Sequence, residues 1–362
     1  MSKKVIVIGA SFPSKKNHAE GVYLYNLMRY FKKTFSLQVC VPRGMFGKGT
    51  AGAETDEFEG SVKRPSYFNL GKFQFLRKIA LGSYFRSIYS VCDKKADFIY
   101  SHFLFPSGYG AYRVSKKLNK PFFVALGEST TSSYETPIGK EILKNAAGLV
   151  VVSQKISDFL VANSGVNADK IIVAPNRADS YIFKPLDKIE ARKRLGLPVD
   201  AKIVIFVGQF IYRKGYDRVL AALELLPERV ESIFIGKGEF ESTSDKILYK
   251  GTVQNKLLVD YYNAADLFVL PTLSEGSCNA IAEAIACGLP ILSSDVTEIK
   301  EQVFEDSSHL VDPLSPEAIA KGIEHMYANF DNYKELALKN SVKYSLEARA
   351  NTILNFINTK LK

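Results

Sequence analysis

The chain has 362 residues, more than one hydrophobic core usually organises, so two domains of roughly 170 to 180 residues with a cleft between them are expected. With 46% hydrophobic and 24% charged residues, it is a folded globular sequence and neither a disordered nor a fibrous one. A formal net charge of +10 calls for an anionic partner, whether nucleic acid, a phosphorylated substrate or an acidic bilayer, and does not by itself choose among them.

The opening MSKKVIVIGASF has only Val5 to Ala10 as an apolar run, too short for a secretory segment, and no later window offers about eighteen uncharged apolar residues. No translocation and no integral membrane segment are expected, which places the protein in the cytoplasm. Cys40, Cys92, Cys278 and Cys287 are scattered, without C-x-x-C or zinc-finger spacing, and read as reduced cysteines.

Along the chain, KVIVIGA, LQVCVP, DFIYSHF, PFFVAL and GLVVVS are short apolar strands, each followed by a polar or amphipathic stretch, the rhythm of a parallel sheet with crossover helices. The loop after the first strand, GASFPSKKNHAEG, carries His18 and Gly21 but lacks G-x-G-x-x-G spacing, which disfavours a nicotinamide or flavin protein. His102 follows another strand. A charged segment with three prolines, near residues 174 to 200, reads as a linker, after which the rhythm restarts with KIVIFVG, SIFIGKG, ILYKG, LFVLP and PILSS. The final SLEARANTILNFINTKLK reads as a helix. The expected domains are 1–180, 181–345 and a terminal helix at 346–362 that packs toward the first domain.

The richest stretch is ADLFVLPTLSEGSCNAIAEAIACGLPILSS, where a buried strand ends at Pro271 and a small-residue helix runs from near Asn279 to just before Gly288. Glu275 sits in the intervening loop and Glu283 about one turn into the helix, roughly 6 Å along its axis, so both can address one ligand. The helix start offers unpaired N–H groups and the positive end of the macrodipole to a diphosphate. Gly276 and Ser277 permit close backbone approach there, while Cys278 and Asn279 line the path of the anion. Upstream, KIVIFVGQFIYRKGYDRVL runs a strand into Gly208 and Gln209, and a short loop delivers Arg213 and Lys214 as phosphate clamps. Gly236, Gly238 and Gly251 end strands and permit approach to a flat base, with Val253 just beyond counted among the donor-binding residues.

In order, VGQFIYRKGYDRVL, IGKGEF and YYNAADLFVLPTLSEGSCNAIAEAIACGLPIL resemble the retaining glycosyltransferases of family 4, the group 1 superfamily. The first half is similar through Gly21, HFLFPSGYGA, VVSQKISDFL and APNRADSYIFKP. The resemblance implies an α/β protein of GT-B fold, two Rossmann-like doubly wound parallel-sheet domains facing a deep interdomain cleft. It implies that Glu275 contacts the donor sugar, Glu283 holds the ribose hydroxyls and Lys214 neutralises the diphosphate. Three positions depart from the family pattern: Gln209 stands where most members have a phosphate-contacting arginine, Leu126 where many have a histidine facing the sugar, and Cys278 where proline or glycine is usual. Arg213 is available to compensate for the first.

By the same resemblance the reaction retains anomeric configuration, uses no cofactor and no divalent metal, and takes a UDP- or GDP-sugar as substrate. The expected product is a hexosyl or N-acetylhexosaminyl unit on a glycan or lipid-linked acceptor, in capsule, O-antigen or lipopolysaccharide assembly. Same-face attack is preferred to double displacement, for which Glu128 is the first-domain candidate; Glu128 stands open between catalyst and structural hydrogen-bond acceptor. Gly21, His18, His102 and Glu128 form the acceptor or cleft side. Residues 61–95 carry Lys63, Arg64, Lys72, Arg77, Lys78, Arg86, Lys94 and Lys95 among aromatic and aliphatic side chains, a composition suited to peripheral contact with an anionic membrane or to ordinary packing into the first domain. No RRM, KH or zinc signature accompanies them, so nucleic acid is not an expected partner. Alternative readings are a sugar-nucleotide epimerase or phosphorylase on the same architecture, and a catalytically silent membrane-associated scaffold.

Overall fold

The apolar runs become strands of parallel sheets packed against helices, which is why they read as unbroken hydrophobic stretches and not as alternating ones. The computed structural model describes residues 2–14, 21–45, 58, 60–69, 77–128 and 131–362. The chain divides into two compact units, Met1–Ala174 with Ala350–Lys362, and Pro175–Arg349.

The first unit contains β1 (Lys4–Ile8), α1 (Val22–Lys32), β2 (Ser36–Cys40), β3 (Arg43–Gly44), β4 (Val62–Lys63), β5 (Ser66–Tyr67), α2 (Arg77–Val91) and β6 (Phe98–His102). It continues through α3 (Tyr109–Leu118), β7 (Phe122–Leu126), α4 (Ser132–Glu135), α5 (Pro137–Asn145), β8 (Gly148–Val151), α6 (Gln154–Ser164) and β9 (Ile171–Val173). Its seven-stranded sheet has the order β4-β2-β1-β6-β7-β8-β9 with parallel neighbours. Strand order reverses between β1 and β6, where Val5 faces Phe98 and Ile8 faces Ser101. Tyr84, Phe85 and Ile88 of α2 lie in the core of this unit, while Lys78, Ile79 and Arg86 are exposed. The aromatic character of the basic segment thus serves packing where its residues fall on the inner face of α2.

The second unit begins with α7 (Lys188–Leu195), β10 (Ile203–Val207), α8 (Tyr216–Leu225), β11 (Glu231–Ile235), β12 (Ile247–Gly251) and α9 (Asn255–Ala264). It goes on with β13 (Leu267–Leu270), α10 (Asn279–Ala286), β14 (Ile291–Ser294), α11 (Thr297–Lys300), β15 (Ser308–Val311), α12 (Pro316–Ala328) and α13 (Phe330–Ser341). Its six-stranded parallel sheet has the order β12-β11-β10-β13-β14-β15, reversing between β10 and β13. Helix α14 (Leu346–Lys360) starts in this unit, where the Leu346 amide donates to Ala178 O. From Ala350 onward it belongs to the first unit, with Phe356 against the Phe123 ring and Lys360 3.2 Å from Asp169.

The segment expected as a linker is different in one respect: α7 lies inside it and packs on α9. Arg192 of α7 is 1% exposed and donates to Ala264 O, Val199 O, Ala201 O and the Asp266 carboxylate. Asp266 also accepts from the Ile203 amide and from Lys188. A buried ion pair in which the guanidinium makes four hydrogen bonds ties α7 to the starts of β10 and β13, so charge here builds structure.

Candidate active site

In an open parallel sheet the loops leaving the carboxyl ends on either side of the reversal diverge and leave a crevice. In the second unit those loops follow β10 and β13, the two that the sequence motifs occupy. The Gly208 amide donates to Ile235 O at 2.9 Å, drawing the ends of β10 and β11 together. A Cβ at Gly236 would lie 1.8 Å from Gly208 O, so this approach requires glycine. Phe210 is 6% exposed and packs against Phe240 and Tyr216, anchoring a loop whose flanking Gln209 and Ile211 are exposed. A single 3-10 turn, Tyr212–Lys214, then presents the two cations. Arg213 O accepts from the Leu273 amide at 2.8 Å, so the two loops are hydrogen-bonded to each other.

Three donors converge on one carboxylate oxygen. Glu275 Oε1 accepts from Lys214 Nζ at 2.5 Å, Thr272 Oγ1 at 2.8 Å and Arg213 Nη1 at 3.1 Å. The Lys214 and Glu275 side chains are 11% and 10% exposed, whereas Arg213 is 41% exposed. An exposed guanidinium leaves such a pair at little cost, while the enclosed ammonium is a fixed positive charge. Arg213 also donates to Ser274 O, holding the start of the loop.

Helix α10 begins beside this cluster, with Lys214 Nζ 4.0 Å from the sulfur of its N-cap residue, Cys278. The N-cap side chain makes no capping hydrogen bond, although its sulfur faces the Ala280 and Ile281 amides, and the positive end of the helix dipole lies here. Burial pushes the Cys278 thiol up to about 11, with Lys214 opposing, so it stays neutral and adds no negative charge. The approach is fastened by Asn176, whose amide N–H donates to Ser277 Oγ at 2.9 Å and whose side chain donates to Ser277 O and Asn279 Oδ1. Gly276 lies in this fastened loop. One turn into α10, Glu283 accepts from Tyr262 Oη at 2.9 Å. Part of the residue stays open to solvent, but its carboxyl group is enclosed, and that burial pushes its pKa up to about 7 against the pull of the Tyr262 hydroxyl.

Of the remaining expected residues, Gly238 lies just past β11 and Val253 just past β12, on loops at the same end of the sheet. Cys278 and Asn279 stand at the helix start, the first buried and the second exposed. The structure therefore brings Arg213, Lys214, Glu275, Ser277, Cys278 and Asn279 together, and sets Glu283 apart on Tyr262.

In the first unit, Gly21 caps α1 with φ +70°, and a Cβ there would lie 2.5 Å from the Ser11 carbonyl, so the turn after β1 needs glycine. His102 ends β6 at 8% exposure, its ring 4.8 Å from that of Tyr23 and 4.7 Å from that of Phe103. Leu126 is 1% exposed in the core and reaches no site. Glu128 accepts from the Leu104 amide through Oε1, and from the Gly127 amide and Tyr134 Oη through Oε2. Of the two roles left open for Glu128, this geometry is that of a structural acceptor, with both oxygens tied to a turn. His18 lies outside the described residues.

Four residues that shape the site escaped the sequence reading. Thr272 follows the strand-ending Pro271, and Tyr262 lies in YYNAAD, both inside recognised stretches. Asn176 sits in APNRAD, a hundred residues before its partners. Gln302, whose side chain clasps the Cys278 backbone, lies in the charged run EIKEQVF, which carries no signal at all.

Comparison with known proteins identifies the family of both halves of the chain. The family described as glycosyl transferases group 1 matches residues 187–340, and glycosyltransferase family 4 matches residues 21–180. The chain is 30% identical over 239 residues to "Putative teichuronic acid biosynthesis glycosyltransferase TuaC" of Bacillus subtilis, covering 64% of this chain and 61% of that protein. It is 31% identical over 222 residues to a D-inositol 3-phosphate glycosyltransferase of Xylanimonas cellulosilytica, covering 55% and 53%. The matched stretch thus spans between about half and two thirds of these relatives' own length. Among solved structures, a sucrose-phosphate synthase from Thermosynechococcus elongatus superposes with TM-score 0.79 at 19% identity, covering 99% of both chains. Anabaena HepE in complex with UDP-glucose superposes with TM-score 0.74 at 15% identity, covering 98% of this chain and 99% of that one. With both halves matched and the fold shared, the chain belongs to the family 4, group 1 glycosyltransferases of GT-B fold.

Proposed function

We propose that this protein is a retaining glycosyltransferase that moves a hexose or N-acetylhexosamine from a UDP- or GDP-sugar to a glycan or lipid-linked acceptor in cell-surface polysaccharide assembly. The observation that carries this reading is the convergence of Arg213 and Lys214 on Glu275 beside the start of α10. Two cations and a helix N-terminus form a receptor for a diphosphate, and they stabilise the charge that develops as the sugar–phosphate bond breaks. The acceptor oxygen bonds to the anomeric carbon on the face that the diphosphate leaves, and a leaving phosphate oxygen takes the acceptor proton. Lys214, Arg213 and the helix dipole do the work of a metal. Glu275 Oε1, released when the cations turn to phosphate, is positioned to accept from sugar hydroxyls, and Glu283 from the ribose. UDP-glucose in the HepE structure and the teichuronic acid pathway named for TuaC support the donor class and the setting.

Work at the inner face of an anionic membrane is part of the proposal, with the cytoplasm as the compartment. Its support is a surface of the first unit where Met45, Phe68 and Ile79 are 50%, 48% and 58% exposed. The Met45 amide donates to Tyr67 O, and the Phe68 amide donates to Ser83 Oγ, one turn along α2 from Ile79, so these side chains share a neighbourhood. Lys63, Lys78 and Arg86 are exposed in the same segment.

The experiment is a thermal-shift panel of UDP, GDP, ADP and their common sugars, followed by anomeric NMR of the product formed with the stabilising donor. Stabilisation by one nucleotide family, lost in Lys214→Ala, supports the transferase; no response to any nucleotide sinks it.

A further inference from the structure

Helix α10 is eight residues long, too short to hold its own start in place. Beside Asn176, which bonds to Ser277 and Asn279, the N-cap residue itself is held by Gln302, which lies after α11 and is 3% exposed. Its Oε1 accepts from the Cys278 amide at 2.8 Å, and its Nε2 donates to Cys278 O at 2.6 Å. Only one orientation of the side-chain amide satisfies both bonds, since the peptide N–H needs an acceptor and the peptide carbonyl a donor. Cys278 O also accepts the first helical bond, from the Ala282 amide at 3.1 Å, so Gln302 grips the residue that sets the helix direction. The Cys278 N–H is consumed by this clasp, and the N–H groups of the helix itself begin at Asn279.

We propose that Gln302 is a positioning residue for the donor diphosphate: by clasping both backbone groups of Cys278 it aims the amino-terminal N–H groups of α10 and fixes the loop that carries Glu275. This rests on the nucleotide-sugar reading given above. Gln302 touches the helix cap and acts on the ligand through it, so its loss weakens what the phosphates contribute and leaves what the nucleoside contributes.

Gln302→Glu tests the clasp directly. An ionised carboxylate still accepts from the Cys278 amide but repels Cys278 O; a protonated one donates again. UDP and GDP, with uridine and guanosine as controls, are titrated by calorimetry against wild type and variant, both shown folded by circular dichroism, at about pH 8 and about pH 5.5. The expected result at the higher pH is a loss of about tenfold in diphosphate affinity relative to wild type, with nucleoside affinity unchanged and with recovery toward wild type at the lower pH. Wild-type diphosphate affinity in the variant at about pH 8, or equal weakening of nucleoside and diphosphate, overturns the proposal. If the glutamate variant does not fold, Gln302→Met, which keeps the shape and removes both Cys278 bonds together with the one to Tyr344, is judged by the same diphosphate-to-nucleoside ratio. Wild-type protein that binds neither diphosphate overturns the nucleotide-sugar reading itself and this inference with it.

Discussion

Glu283 gives a stability prediction whose sign runs opposite to its role. Its carboxyl is pushed by burial from 4.5 up to about 7, so the folded state binds the proton more tightly than the unfolded state does. The stability associated with that proton is fully present below pH 4.5 and is lost as the pH rises through about 7. The full shift corresponds to about 3 kcal/mol at roughly 1.4 kcal/mol per unit, and relaxation of the surroundings about the buried charge reduces this to about 2 kcal/mol. Glu283→Gln removes the titration and keeps a carbonyl that accepts from Tyr262. The variant should match wild type near pH 5 and exceed it by about 2 kcal/mol near pH 8, while nucleotide affinity falls about tenfold or more as ribose hydroxyls lose a charged acceptor. Urea melts followed by far-UV circular dichroism suit a chain without tryptophan, with a separate transition fitted for each unit. A difference between variant and wild type that stays constant from pH 5 to pH 8 would refute the reasoning.

Other expectations follow from the same contacts. Arg192→Met leaves Asp266 buried beside the half-exposed Lys188, and should cost the second unit about 3 to 5 kcal/mol in urea midpoint analysis; a loss below about 1 kcal/mol would mean the pair is not structural. Lys214→Ala should lower turnover about a hundredfold or more with little change in the unfolding midpoint, because Thr272 and Arg213 still hold Glu275; unchanged turnover would remove the lysine from the mechanism. Glu128→Gln faces an amide NH2 toward donors that now meet oxygens, so stability should fall about 1 to 3 kcal/mol while turnover per folded molecule persists; abolished turnover in folded variant would restore Glu128 as a nucleophile. Chelation with EDTA should leave turnover unchanged, measured on the donor identified by the thermal-shift panel; loss reversed by a divalent cation would contradict the metal-free mechanism.

The strands were legible because burial on both faces leaves no polar position in IVIFV or LFVL, and the cations and Glu275 were legible because they occupy the loops that follow those strands. What stayed hidden is instructive. Helix α7, KIEARKRL, buries only Ala191 and Arg192, so its hydrophobic signal is nearly nil and its charges mimic a linker. In the basic segment, Tyr84, Phe85 and Ile88 turn inward while Ile79 and Arg86 turn outward, a division that composition cannot make and helix register can. Asn176 and Gln302 act on backbone groups 101 and 24 residues away, and a side chain that serves someone else's main chain leaves no spacing pattern in its own neighbourhood.

The electrostatics of α10 explain why Glu275 sits where it does before any ligand arrives. At the carboxyl end of the helix, Lys334 donates to Gly288 O at 2.8 Å, a cation against the negative pole, which stabilises. At the amino end the arrangement is the reverse: Lys214 stands beside the N-cap, and Arg213 next to it, two cations against the positive pole. That juxtaposition is unfavourable unless an anion lies between them, and in the protein alone the anion is Glu275. On the proposed function, a diphosphate would bring more negative charge to the same cations, displace the carboxylate from them and leave Oε1 with its Thr272 bond and room for a sugar hydroxyl. On that proposal the ion pair that organises the site would also ready it, because one exchange would free both the charge for the phosphates and the oxygen for the sugar.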